Sequence, residues 1–388
     1  MGSKIGIDKN IKVVMLRLCL LLIGISIFSA CKSEVETINI GYIGPLTKRA
    51  TDLGIAPANA LKLSVSEYNA NRKAGEPKVN LFVEDDQWEK ENSMPAYEKL
   101  RREHDVKIVF VSNTDGTIAI SDKVLDDQVI LVNPLNNDAL LSALNQNIFK
   151  IAKSTEEANS LIAIRIIELG LKKVIIMHYP NDFMTMASNS CKKILDESGI
   201  ENRVVTVEKE NVDFKDELKS YKEAGYDAFV FFGYKEFGFA MKQARELEIT
   251  APFFGSTVLL DPDYYENSAG TIIGTECSFF TPADGNWVLA NEFLNRYKST
   301  YGENPFSVWP PLQAYDAMNL VLNELRTLNS TRGNGQLFDE WLRQRLFNVK
   351  FFQGTCGNIS INTDGSSRGI YFSLYKYEAK GKLLKVKR

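Results

Sequence analysis

The chain has 388 residues, 44% hydrophobic and 24% charged, which suits about two folded domains with sizeable cores and excludes global disorder. Its formal charge is −3. The first 30 residues hold Lys4, Lys9, Lys12, Arg17 and one acid, Asp8, so the remainder is at −6 and has no basic block that could bind nucleic acid.

Only His104 and His178 occur, and the cysteines at 19, 31, 191, 277 and 356 form no CxxC pair. A histidine-rich metal site, a zinc ribbon and dithiol redox chemistry are therefore excluded. No GxSxG, HExxH or phosphate loop is present. Neither an enzyme nor a cofactor is expected, and no metal.

The chain opens with bases, then the apolar run Leu18–Phe28, then Ser29-Ala30 before Cys31. These are the three parts of an export signal, predicted over residues 1–30. The run is too short for a comfortable ~20-residue membrane span. Met15-Leu16-Arg17 also offers a natural start. Phe28-Ser29-Ala30-Cys31 resembles a bacterial lipobox, with Phe28 where Leu is usual. The resemblance implies cleavage before Cys31, lipid on its sulfur and new amino group, and a tether over 31–37. The protein would then be lipid-anchored to a bacterial membrane, facing the periplasm or cell exterior. An ordinary signal peptide with an incidental cysteine is the alternative.

From Ile38 onward strand-like and helix-like segments alternate. Ile38–Ile43 reads as a strand ending at Gly44-Pro45. Ala58, Leu61, Val65 and Tyr68 repeat at helical spacing, and Val79–Val83 alternates as a strand that stops at Glu84-Asp85-Asp86. A helix through Tyr97 and Leu100 leads to strand Ile108–Val111. Ile118–Leu125 reads as a helix and Val129–Val132 as a strand. A second series starts at Ser154, which has capping-box spacing to Glu157, and Gly170 is a helix stop. Strand Val174–Met177, a helix over 184–198, strand Val204–Val207, a helix from Phe214 to Gly225, strand Ala228–Phe232, helix Phe237–Leu247 and strand Pro252–Phe254 follow.

This alternation predicts an α/β protein of two doubly wound lobes. Ligands of such lobes sit beyond the carboxyl ends of the strands. That rule points to the loops at 44–54, 112–117, 133–138, 178–183, 233–237 and 255–258. Each loop alone is explained by turn chemistry, but six polar loops meeting at the same sheet edges favour a site.

Glu292-Phe293-Leu294-Asn295-Arg296-Tyr297-Lys298-Ser299-Thr300-Tyr301-Gly302-Glu303-Asn304-Pro305, followed by Ala314-Tyr315-Asp316-Ala317, resembles a signature of the type I periplasmic binding proteins. That is the group of the leucine/isoleucine/valine-binding protein. Ile40–Pro45, Ala228–Gly233 with Phe237–Arg245, and Phe352–Ile359 with Asp364-Gly365 resemble further segments of the same family. The resemblance runs from residue 38 to about 378. It implies two flavodoxin-like lobes joined by three crossovers near 153, 281 and 368. One lobe is then 38–153 plus 281–368, the other 154–280 plus 369–388.

The family's function, also implied, is to close two lobes around a small polar solute, an amino acid or related amide or carboxylate, for an ABC importer. The expected partners are the solute, a membrane permease and the lipid anchor, with no nucleic acid. A regulatory lipoprotein of the same fold, which contacts an envelope enzyme or sensor and has a cleft packed by bulky side chains, is the alternative.

The resemblance also nominates ligand-binding residues. From the first lobe these are Asn113, Thr114, Asp115, Thr117, Asn136 and Asn137, with a helix starting at Gly116 or Thr117 whose free N–H groups favour an anion. From the second they are Asp182, Phe183, Tyr234 and Thr257. One departure stands out. Where branched-chain amino-acid binders have an acid that accepts from the ligand ammonium, this chain has Ser256-Thr257. Asp115 and Asp182 are the carboxylates that could replace it.

Trp309 fits core or cleft wall, and His178, at a strand end, fits a local hydrogen bond. His104 is expected to end a helix as a dipole partner, and Tyr315 and Asp316 to brace a helix. Cys191 and Cys277 share a lobe, and no disulfide between them is expected.

Overall fold

The computed structural model describes residue 2 and residues 36–387 except 138, 209, 281–286, 306 and 371, with the side chains of 155, 182, 257 and 280 also left out. Cys31 and the export signal lie outside the described residues. Among the described residues, no helix is long and apolar enough to cross a membrane.

The first sheet is built from β1 (Thr37–Gly44), β2 (Lys78–Asp85), β3 (Ile108–Val111), β4 (Ile130–Asn133) and β5 (Ile148–Lys150). All pairings are parallel and the order is β2-β1-β3-β4-β5. β3 is an unbroken apolar run and β4 nearly so, and every residue of both is buried, as parallel strands covered on two faces require. Gly41 in β1 is one place where a side chain is excluded. A Cβ there would lie 2.8 Å from Leu100 Cδ1 of the helix Lys90–His104.

The second sheet repeats the winding. Its strands β6 (Lys173–His178), β7 (Glu201–Thr206), β8 (Ala228–Phe232), β9 (Phe253–Gly255) and β10 (Glu276–Phe280) run in the order β7-β6-β8-β9-β10. The small sheet of β11 (Phe352–Gln353), β12 (Gly357–Ile361) and β13 (Ser367–Ile370) is antiparallel. β14 (Phe372–Ala379) and β15 (Lys382–Lys385) then extend the second sheet past β10, antiparallel to it and to each other. Each main sheet therefore reverses its strand order once, between β1 and β3 and between β6 and β8, which creates a crevice at the carboxyl ends there.

Local signals placed many elements. Ser154 accepts from the Glu157 N–H at 3.2 Å at the start of the helix Thr155–Glu168, and Gly170 sits at φ 71° just after its end. Asn181 caps the helix Asp182–Glu197 by accepting from Met184 N at 2.8 Å. The single helix expected over 118–125 is instead two short ones, Thr114–Ala119 and Ser121–Asp126, which meet at Ile120.

The helices Val288–Tyr301 and Trp309–Leu325 pack on the first lobe. Tyr301 donates to Asn59 O at 2.8 Å, and Arg326 pairs with Glu76 at 2.6 Å. Asp316 is 1% exposed and accepts the N–H groups of Thr355 and Cys356, each at 2.7 Å. The chain turns so close there that a Cβ on Gly354 would lie 2.3 Å from Asp316 Oδ2.

Beside the crossovers expected near 153 and 368 the chain segments are bonded together. Ser367 Oγ donates to Ala152 O at 2.8 Å and accepts from Ala152 N at 3.1 Å, and Lys153 N donates to Gln313 Oε1 at 2.7 Å. The crossover expected near 281 falls in 281–286, outside the described residues.

His178 is held by Tyr179 O at Nδ1 and Thr206 Oγ1 at Nε2, both at 2.9 Å, and burial lowers its pKa. His104 ends its helix and stacks on Phe82 with ring centroids 3.7 Å apart. Cys191, Cys277 and Cys356 are buried and free. Burial pushes the first two thiols up to about 12 and raises the third well above its ordinary value. A thiolate-directed alkylating reagent is therefore expected to leave all three unmodified in the native protein and to modify all three in denaturant, read by peptide mass spectrometry. Rapid native labelling of any of them would contradict this burial.

Candidate functional site

The strand-order reversals put the loops after β1 and β3 opposite those after β6 and β8. Side-chain contacts span the gap. The Trp88 indole N–H, from the loop after β2, donates to the Tyr234 hydroxyl at 2.7 Å, and Asn181 Nδ2 donates to the same oxygen at 3.1 Å. Arg49 Nη1, from the loop after β1, donates to the Tyr179 hydroxyl at 2.9 Å and lies over the Tyr179 ring at 5.5 Å. Tyr179 and Tyr234 meet edge to face at 5.1 Å. Burial raises the Tyr234 phenol well above its usual range, so it stays a neutral acceptor.

The two loops that supply these arms are strained. Lys48, Ala50, Gln87 and Trp88 all have φ between 55° and 63°, a region that non-glycine residues seldom enter. Carboxylates hold them there. Asp85 Oδ1 accepts from Leu46 N at 2.8 Å and from Gln87 N at 2.9 Å, so it joins the two loops. Asp86 Oδ1 accepts from Trp88 N at 3.0 Å, and burial pushes that carboxyl up to about 6. Strain of this kind persists only where surrounding bonds over-determine it.

Three cavities lie along the gap. The deepest has about 20 Å³ of space, walled by Ser112, Thr114, Asn136, Phe183, Trp88 and Trp309 among others. A middle one of about 240 Å³ is lined by Arg49, Asp115, Tyr179 and Asn181. The outermost, about 450 Å³, reaches from Lys48–Ala56 of the first lobe to Tyr234, Lys235 and Asp261–Asp263 of the second.

The residues nominated from sequence divide among these surroundings. Thr114 and Asn136 line the deep cavity and bond each other, Asn136 Nδ2 donating to Thr114 Oγ1 at 2.8 Å. Phe183 and Tyr234 line it from the other lobe, and Asp115 lines the middle cavity. Three nominated residues line none of the three. Asn113 caps the helix by accepting from Asp115 N at 3.1 Å, so the helix begins at Thr114 rather than at 116 or 117 and that N–H is already satisfied. Thr117 is fully buried, donating to Asn113 O and accepting from Asn133 Nδ2, both at 3.0 Å. Asn137 donates to Ser367 O at 2.8 Å beside the lobe crossing. Thr257 opens a 3-10 turn and Asp182 begins a helix; their side chains lie outside the described residues, and Val258 is the neighbour that lines the deep cavity.

Arg49, Trp88 and Tyr179 were not nominated. Trp88 follows the Asp85-Asp86 pair at the carboxyl end of β2, so the strand-end rule could have found it. Trp309 proves to be a wall of the deep cavity, with Lys153 Nζ 5.0 Å above its ring. Among the described residues, no group of three His, Cys, Asp or Glu could hold a metal.

The sequence pattern of a family described as periplasmic binding protein matches residues 37–378. No curated protein matches the chain. Solved structures share its fold at low identity. The leucine-binding protein LivK of Thermotoga maritima superposes with a TM-score of 0.79 at 19% identity, covering 90% of this chain and 98% of that one. LivJ of Streptococcus pneumoniae, a branched-chain amino-acid transporter substrate-binding protein solved with isoleucine, gives 0.76 at 22%, covering 90% and 100%. An ABC-transporter solute-binding protein of Rhodopseudomonas palustris BisB5, solved with 3,4-dihydroxybenzoic acid, gives 0.76 at 20%, covering 90% and 96%.

Proposed function

The chain belongs to the periplasmic binding protein family, and from that premise we propose that it captures a small polar solute between its lobes for an ABC permease. The observation that carries this reading is the run of cavities between the facing strand ends, the largest of about 450 Å³, within the range of small-molecule pockets. The arms Trp88 and Arg49 supply what capture needs: contacts that exist only when the lobes are together. The solute class is an amino acid or a related amide or carboxylate. Isoleucine and 3,4-dihydroxybenzoic acid, the ligands of two structural neighbours, both fall within it. Cys31 is the proposed lipid anchor, on the lipobox resemblance alone.

The test is a melting screen of amino acids, small amides and carboxylates. A cognate solute at 100 times its Kd is expected to stabilise the folded state by about 2.7 kcal/mol. A flat result across the panel would remove the reading.

One observation favours a second reading, a regulatory lipoprotein that binds a partner instead of a solute. The deep cavity, about 20 Å³ between Trp88, Phe183, Tyr234 and Trp309, has room for about one water, so bulky side chains pack that part of the cleft. Crosslinking to an envelope protein, with no solute shifting the melt, is its expected result.

A further inference from the structure

The outermost cavity carries a carboxylate from each lobe. Asp52 sits in the short turn Thr51–Leu53 of the first lobe, and Asp261 caps the helix Pro262–Asn267 of the second. Burial, and then the charge of Asp261, push Asp52 up to about 7. Burial raises Asp261 as well. The nearby Lys235 charge lowers Asp261 but does not offset the burial of the two carboxyls.

The bases on the cavity wall do not supply that offset. Lys235 is paired with Asp263 at 2.8 Å, Arg49 is bonded to Tyr179, and Lys48 is exposed at the rim. A separate observation points the same way. Ser307 is 2% exposed, lines this cavity, and has a hydroxyl with no hydrogen-bond partner. Beside Asp261, Glu236 Oε2 is likewise buried without a partner. Buried polar atoms are nearly always bonded, so the orphan Ser307 hydroxyl on the cavity wall points to a ligand or ordered solvent that completes it.

We propose that this cavity binds a small organic cation, whose ammonium or guanidinium group bridges Asp52 and Asp261 and donates to the Ser307 hydroxyl. The proposal rests on the solute-capture reading and narrows its solute class to members that carry an ammonium or guanidinium group, as amino acids do. Two carboxylates and a hydroxyl suit N–H donors, whereas calcium takes six to eight oxygens. A cation placed there also cancels the repulsion between the lobes, so binding and closure become one event. The missing acid at Ser256-Thr257 is then replaced by Asp261, a few residues further along the same loop, together with Asp52 from the opposite lobe.

Three probes of one skeleton and different charge test this: 1,4-diaminobutane, 1,4-butanediol and 1,4-butanedioate, titrated calorimetrically into the purified protein. The diamine is expected to bind, and the diol and the dianion are not. Asp52→Asn and Asp261→Asn are each expected to weaken diamine binding 10-fold or more, with the helix cap kept because Asn caps as Asp does. Ser307→Ala is expected to weaken it about 3-fold. Equal binding of the diol, preference for the dianion, unchanged affinity in both Asn variants, or no diamine binding would each overturn the proposal. A melting shift from any other solute of the screen would in those cases leave capture standing while the cation assignment falls.

Discussion

Asp316→Ala is expected to cost about 3 kcal/mol of stability. The carboxylate is buried and accepts two backbone N–H groups at 2.7 Å. Removing it leaves both donors in a site that water does not reach, at about 1–3 kcal/mol each, partly relieved by local rearrangement. Neither donor has another acceptor to turn to, because the chain is pinned by the close approach of Gly354. Asp316→Asn keeps one acceptor and is expected to cost about half as much. Urea denaturation gives both values, and a loss under 1 kcal/mol for the alanine variant would show that the turn at 354–356 does not depend on this residue.

Trp88→Ala is expected to act on the lobes' separation instead. The residue is half-buried and packs against the edges of two core clusters, and its indole bonds Tyr234 across the gap and lines the deep cavity. Losing that bond and the packing around it removes about 2 kcal/mol from the closed state alone, which shifts the closed-to-open ratio about 30-fold. Small-angle scattering of the solute-free protein should report a larger radius of gyration than the parent, with melting changed only slightly. Tyr234→Phe should give a weaker version, since the ring stays and two donors lose their acceptor. An unchanged scattering profile in both variants would mean that this bond does not hold the lobes together.

What sequence reveals here follows the range of the force that decides it. The strand Ala228–Phe232, the Ser154 cap and the Gly170 stop were legible because each is decided within a few residues. The addition of β14 to the edge of β10 pairs residues about 100 positions apart, and only the family resemblance, which put 369–388 in the second lobe, pointed to it. Asn136 and Asn137 mark the limit at the site. They are adjacent and chemically identical, yet one lines the cleft and the other bonds Ser367 at the crossing. Trp88 was within reach of the strand-end rule, but its left-handed backbone belongs to neither a strand nor a helix pattern. Only the Asp85 and Asp86 contacts explain it.

The placement of the tryptophans makes the protein its own optical gauge. Of the four, Trp88 and Trp309 share the wall of the smallest cavity. Trp287 and Trp341 donate their indole protons to Gly354 O and Thr331 Oγ1, each at 3.0 Å, away from the gap. Emission from the second pair is a constant background while the first pair moves from a dry, aromatic setting into solvent. A red shift in intrinsic fluorescence would therefore count opened molecules directly, without any attached dye.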